Sequence, residues 1–391
     1  MDIHNYEREN LGASRILILK NCFKSLGLDS VIDKIDESIA IAALYAQGKL
    51  IAEGAGKGKS CEIGALAEAF EHYCLQNEIL NETPIEAAKI AKQHALHSDG
   101  VIQSLSCFNE HVEVVKFKSL FGEDEIAIPQ LLVSPRDALP EGICHKIIER
   151  YATNSGTALG CSFEEAILHG LNEVIERHIL SLLMLDSIGE ECEVKIHEIS
   201  KKNINCLLSC IDFKPHGSIR VYFVDELLGS FFCLAVRDGE EDTFSLPQIG
   251  SGCSQSFLLA FSRAVFELVQ AETLYGYEER CIDEQAIRII SRSKRLEGLR
   301  KMRPISSKVT DYLPEPNGKF PNRPREQVNS ALNSLKRSEF APYYRVLNEM
   351  ASSVFVVQVY VPGMERFNLI RSGKWVAPHA ALLHSPFDKE S

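Results

Sequence analysis

The chain has 391 residues, 42 Lys and Arg against 54 Asp and Glu, a formal net charge of −12, and 45% hydrophobic residues. That supplies a substantial core, and a charged fraction of 25% excludes wholesale disorder. No run nears the roughly 18 apolar residues of a membrane span, MDIHNYEREN carries no signal-peptide pattern, and an acidic chain without a basic stripe is no general nucleic-acid binder.

Apolar residues at helical spacing predict a first helix over residues 14–28, stopping at Gly27. IAIAALYA and KLIAEGAG read as a hairpin turning at Gln47-Gly48. A long helix over 61–80 follows GKGKS, and a second is expected over 84–97. VEVVKFKSL and EIAIPQLLV are strand-like. The loop YATNSGTALGCS opens a helix over 163–185. IRVYFVD and FFCLAVRDG are further strands, and the glycine-containing loop TFSLPQIGSGCS opens a helix over 255–275. A charged helix is predicted over 283–301 and a proline-rich flexible loop over 314–326, before the strand FVVQVYVPG. The expected class is α/β, one large domain over 1–391, with subdomains near 1–150, 151–280 and 281–391.

The twelve cysteines are scattered singly and form no CxxC. Cys206 and Cys210 share a helix face and read as buried thiols, while His94 and His97 read as a solvated helix face. Reduced thiols fit a cytoplasmic protein, and no zinc set is present.

Three helices repeat one theme. GALAEAFEHY carries Glu68 and Glu71, HGLNEVIERH carries Glu173, Glu176 and Arg177, and FSRAVFELVQAE carries Arg263, Glu267 and Gln270. Residues three or four apart share a helix face, so each set forms a polar patch flanked by apolar residues. Buried carboxylates are costly unless paired or metal-bound. Mg²⁺ takes oxygen ligands in company with phosphates, and arginines beside them suit phosphoryl oxygens. Acid pairs, Arg177, Arg263 and glycine-containing loops before helices together point to a magnesium-nucleotide site. GAGKGKS fails the spacing of a Walker A loop, and no GxGxxG, kinase set or GxSxG elbow occurs. Di-iron bundles want Glu-x-x-His, where this chain has Glu-x-x-Glu.

TNSGTALGCSFEEAILHGLNEVIERH resembles the signature stretch of the YcaO family. GKGKSCEIGALAEAFEHY is similar to an earlier block of that family, GSGCSQSFLLAFSRAVFELVQAE to a third, and VYVPGMERF to its Val-Pro-Gly element, all in the family's order. The resemblance implies a mixed α+β fold with several sheets and long helices around one nucleotide site. It also implies an ATP- and Mg²⁺-dependent enzyme that phosphorylates the oxygen of a peptide-backbone amide, forming azolines as a cyclodehydratase. Thioamide- or amidine-forming chemistry and a non-catalytic ATP-binding scaffold are the alternatives. By this resemblance Glu68, Glu71, Glu173, Glu176 and Glu267 fall on metal and nucleotide positions. Arg177, Arg263 and Glu165 fall on catalytic and nucleotide-contacting positions, and Arg8, Ser14 and Arg15 on early nucleotide contacts.

The chain departs from the family at Gly64, His72, Cys161 and Ser254, where Ser, Arg, Asn and His are usual. It ends HSPFDKES, with Pro386 alone where azoline-forming members often carry a Pro-x-Pro-x-Pro tail. The resemblance implies a homodimer. Because the recognisable blocks take up nearly the whole chain, a precursor peptide presented by another protein is also expected. That protein would be an E1-like or leader-binding subunit, or one that delivers sulfur.

Overall fold

A computed structural model describes residues 7–8, 15–78, 82–136, 141–238, 245–314, 323–350 and 353–383. The predicted first helix forms as α1 (Arg15–Ser25). It leads into an antiparallel meander of β1 (Leu28–Lys34), β2 (Ile39–Ala46) and β3 (Lys49–Lys57). The turn falls at Gln47 and Gly48, both at positive φ as a two-residue hairpin loop requires. Helix α2 (Cys61–Gln76) then lies across β3. Phe70, Leu66 and Ala65 of α2 close the core of this layer against Leu19 and Phe23 of α1. Each large side chain buried here is worth about 2–3 kcal/mol.

The region predicted as a helix over 84–97 is broken. Ile85–Glu86 pairs with His111–Val112, and only Ala87–Ala91 and the 3₁₀ turn His94–Leu96 are helical. The amides of Ala87 and Ala88 donate to the carbonyls of Glu110 and Phe108, so strand-like pairing captures the donors a helix start needs. Next come β4 (Val114–Ser119), β5 (Glu125–Pro129), α3 (Ile143–Tyr151), β6 (Thr157–Gly160) and the long α4 (Phe163–Ser187). Ser162 caps α4 by accepting the Glu165 amide at 3.1 Å, a cap worth about 1 kcal/mol.

The second half contributes β7 (Ile196–Ile199), α5 (Lys201–Cys210), β8 (Ile219–Leu227), β9 (Ser230–Arg237), β10 (Ile249–Ser254) and α6 (Phe257–Thr273). It continues with α7 (Tyr277–Ile290), β11 (Lys308–Thr310), α8 (Pro324–Arg337), β12 (Tyr343–Met350) and β13 (Val354–Tyr360). One five-stranded sheet runs β10-β9-β8-β7-β11 and the other β5-β4-β12-β13-β6. The apolar face of α4 packs between them, with Leu171, Ile175 and Ile179 in one core with Val357, Val359, Tyr222 and Phe232.

Several expectations are corrected. The runs TALG and IGSGCS, read as loops, are strands β6 and β10. Their glycines serve close packing: a Cβ on Gly250 would stand 2.1 Å from the Leu268 amide, and one on Gly160 2.3 Å from that of Ala166. The charged helix predicted over 283–301 starts earlier, at Tyr277, and stops at Ile290, followed by two short turns. The predicted loop 314–326 overlaps the first turn of α8, and residues 315–322 lie outside the described residues. Cys206 and Cys210 are exposed, because α5 turns Ile204, Leu207 and Leu208 inward instead. His94 and His97 are exposed, as expected. No helix among the described residues is long and apolar enough to cross a membrane.

The order helix, three-stranded meander, helix thus occurs twice, as α1-β1-β2-β3-α2 and as α5-β8-β9-β10-α6. In both, the last strand carries a Gly-x-Gly, Gly54-Ala55-Gly56 and Gly250-Ser251-Gly252, against the backbone of the helix that follows.

Candidate active site

The glycine contacts decide where the acidic side chains go. With no Cβ on Gly54 or Gly56, α2 closes onto β3, and Glu68 reaches over to accept the Ala55 amide at 2.7 Å. One turn later Glu71 accepts the Leu159 amide of β6 at 2.6 Å. On α4, Glu173 accepts the Gly156 amide at 3.2 Å. Ser251 Oγ lies 2.6 Å from Glu176 and 3.4 Å from Glu267, bridging α4 and α6. Glu267 is also ion-paired with Lys57 at the end of β3. Carboxylates anchored on main-chain amides cannot swing freely, so the backbone sets their positions.

These carboxylates line one open cavity of about 440 Å³, together with Lys57, Ser251, Arg8, Arg177, Arg263, His169, Asn172 and Gln270. A typical single-ligand pocket measures roughly 300–1,000 Å³, so the cavity is of a size for one small-molecule ligand. A groove of about 610 Å³ shares His72 and Asn154 with the cavity. A narrow cleft of about 40 Å³, lined in part by Thr153, Ser155 and Asn368, shares Arg177.

The electrostatics ask for a cation. Burial pushes Glu71 up to about 8, with the charges of Glu68 and Glu173 adding to it. Burial likewise raises Glu173 to about 7, Glu176 adding and Arg177 opposing. Glu176 is raised by burial and by the charge of Glu267. Burial also works against Glu267, but Lys57 and Arg177 outweigh it and hold that carboxyl below its usual range. Burial opposes the Arg177 charge, yet Glu267, Glu176, Glu173 and Glu68 keep its guanidinium above the ordinary arginine range. Among the described residues, no three His, Cys, Asp or Glu side chains come close enough to hold a metal ion alone. The donor set therefore suits Mg²⁺, which needs only one or two carboxylates when phosphate oxygens complete its shell.

Of the residues singled out in the sequence, Arg8, Glu68, Glu71, Glu173, Glu176, Arg177, Arg263 and Glu267 share the cavity wall. Glu165 stands behind it, buried and paired with Arg8 at 2.9 Å. Arg15 opens α1, near enough to Cys161 and His169 to act on their charge, but is not among the residues lining the cavity. Ser14 lies outside the described residues. Cys161 is buried behind β6, and burial pushes its thiol up to about 11. Sequence reasoning missed Lys57, Asn172, His169 and Ser251. The signal for two of them was present: His169, Asn172, Glu173 and Glu176 fall at i, i+3, i+4 and i+7 of one helix.

A family model described as YcaO cyclodehydratase, ATP- and Mg²⁺-binding, matches residues 55–365. The chain belongs to the YcaO family. ATP and Mg²⁺ are that family's cofactors. An uncharacterized protein of Methanothermobacter thermautotrophicus is 27% identical over 331 residues, covering 81% of this chain and 82% of that one. Solved YcaO structures share the mixed α/β architecture. YcaO from Methanopyrus kandleri, bound with AMPPCP and Mg²⁺, superposes with a TM-score of 0.61 at 15% identity, over 93% of both chains. A heterocyclase in complex with substrate and cofactor gives 0.60 at 15% identity, over 93% of this chain and 56% of that one. A chain of the E. coli microcin synthetase McbBCD complex gives 0.55 at 17%, over 87% and 88%. At these identities the likeness to solved structures is one of fold.

Proposed function

We propose that this YcaO protein uses Mg²⁺-ATP to phosphorylate the oxygen of a peptide-backbone amide, forming an azoline in a ribosomally made peptide. The observation that carries the reading is the convergence of Glu68, Glu71, Glu173, Glu176 and Glu267 around Arg177 in one cavity. A thiol or hydroxyl of the acceptor loses its proton and adds to the amide carbon. The former carbonyl oxygen takes the γ-phosphoryl group and ADP leaves. The nitrogen then loses its proton as phosphate departs with that oxygen, which closes the C=N bond of the ring.

The chain's own part is positioning and charge, as expected for phosphoryl transfer. Arg177 and Arg263 present forked donors to the phosphates, Arg8 adds a third cation, and Glu165 orients Arg8. Glu68, Glu71, Glu173, Glu176 and Glu267, one or two to each ion together with phosphate oxygens, would hold Mg²⁺, which neutralises phosphate charge when bound. The groove sharing His72 and Asn154 is the proposed path of the acceptor.

Acceptor labelled with ¹⁸O at the reacting amide tests the reaction: released phosphate should carry the label beside ADP. Arg177→Ala should slow turnover on the order of 10³-fold, whereas Cys161→Ser should keep it. Unlabelled phosphate from a turning-over enzyme would rule the reaction out. We further propose a cytoplasmic homodimer that receives its peptide from a partner protein. A monomer in light scattering, or tight leader-peptide binding by the isolated chain, would count against these two assignments.

A further inference from the structure

One carboxylate lies behind the cavity wall and belongs to none of the acidic helices. Glu7 is only 1% exposed. It accepts Arg263 Nη2 at 2.7 Å, Ser254 Oγ at 2.5 Å and Asn172 Nδ2 at 3.2 Å, and lies 3.9 Å from His169 Nδ1. The other terminal nitrogen of Arg263, Nη1, donates to the Cys253 carbonyl at 2.7 Å. Glu7 and the protein backbone thus share the guanidinium between them. The next residue, Arg8, pairs instead with Glu165 at 2.9 Å.

A guanidinium, a hydroxyl and an amide gathered about one anion form the donor set that phosphoryl oxygens take. A single carboxylate does not exhaust the site. His169 keeps its Nε2 buried without a hydrogen-bond partner among the described residues, an atom that donates to a phosphoryl oxygen when it carries the ring proton. The orphaned Oδ1 of Asn172, only 3% exposed, is an acceptor and takes a donor instead. Arg263, Asn172 and His169 all line the same cavity as the acidic pairs.

We propose that Glu7 is an internal counter-anion: from behind the cavity wall its carboxylate takes the donors of Arg263 and Asn172 that phosphoryl oxygens of the nucleotide would otherwise receive, and nucleotide binding competes for them. The inference rests on the cavity being the nucleotide site. Two anions cannot share Arg263 in a wall that already carries five carboxylates, because each repels the other at short range. While Glu7 is seated, the partly buried Arg263 is spared the cost of an unpaired charge. Nucleotide affinity is lowered in turn by the fraction of molecules in which Glu7 is in place.

Isothermal titration with a non-hydrolysable Mg²⁺-ATP analogue tests this on the full chain. Glu7→Gln, close in shape and uncharged, should bind the analogue about tenfold more tightly than wild type. Glu7→Ala should also gain a rise in melting temperature with inorganic phosphate in the absence of magnesium, which wild type should lack. Weaker or unchanged analogue binding in Glu7→Gln would overturn the proposal, since Glu7 would then hold Arg263 in place instead of competing for it. If neither protein takes up the analogue, the nucleotide reading of the cavity fails. The phosphate arm still decides on Glu7: stabilisation of Glu7→Ala alone supports the counter-anion, and identical curves overturn it.

Discussion

Lys57 at the end of β3 and Glu267 on α6, 210 positions apart, form an ion pair on the cavity wall. The pair joins the two helix–meander–helix units. It also explains why Glu267 stays ionised where Glu71 and Glu173, without a lysine, are pushed toward the neutral form.

Lys57→Met should destabilise the fold by about 1–2 kcal/mol, because it strands a charge that is mostly removed from water. Chemical denaturation gives the number. An unchanged midpoint would mean that solvent already screens the pair.

Nucleotide should raise the melting temperature only when magnesium is present. At a hundredfold excess over Kd the gain is about 2.7 kcal/mol, or several degrees for a chain of this size. Glu176→Gln should remove the shift, since it takes away the carboxylate that Ser251 ties to Glu267. A magnesium-independent shift would count against the site as assigned.

The pH dependence has a defined sign. Glu71 and Glu173 keep their protons up to about 8 and about 7, against an ordinary 4.5, so between these values the unfolded chain binds fewer protons than the folded one. Stability therefore falls as pH rises from 4.5 towards 8. Deprotonation is also what a metal requires, so magnesium-nucleotide affinity should rise across pH 7–8. Urea midpoints at pH 6 and 8.5 check the first effect, and Glu71→Gln should flatten the slope.

Gly56→Ala should cost about 3 kcal/mol or prevent folding, because the new Cβ would sit 1.7 Å from the Cys61 carbonyl oxygen. Gly122→Ala, with nothing within 4 Å, is the control and should be close to neutral. Equal melting temperatures for the two variants would show that α2 can move away from β3.

Much of the site was legible because helical periodicity converts spacing into faces. Glu68 and Glu71, Glu173 and Glu176, and Arg263 and Glu267 mark three polar patches by their spacing alone. What spacing could not supply was the partner across each gap. Lys57 lay in GAGKGKS, set aside because its spacing fails a Walker A loop, and Ser251 looked like part of a loop. The glycines misled for a related reason: Gly160, Gly250 and Gly252 read as turn residues, yet they sit in strands whose missing side chains let a helix lie against them. The broken segment at 84–97 was lost to strand pairing with residues far along the chain, which no local pattern reports.

The doubled helix–meander–helix arrangement, with its acids bridged by α4, bears on the order of folding. The contact between Leu159 and Glu71 spans 88 residues, that between Ser251 and Glu176 spans 75, and that between Arg263 and Glu7 spans 256. Each unit can close its own meander through local contacts, whereas the cavity exists only after both have docked on the central helix. Such long-range closures come late. Substitutions on the cavity wall should therefore speed unfolding and leave the refolding rate nearly unchanged.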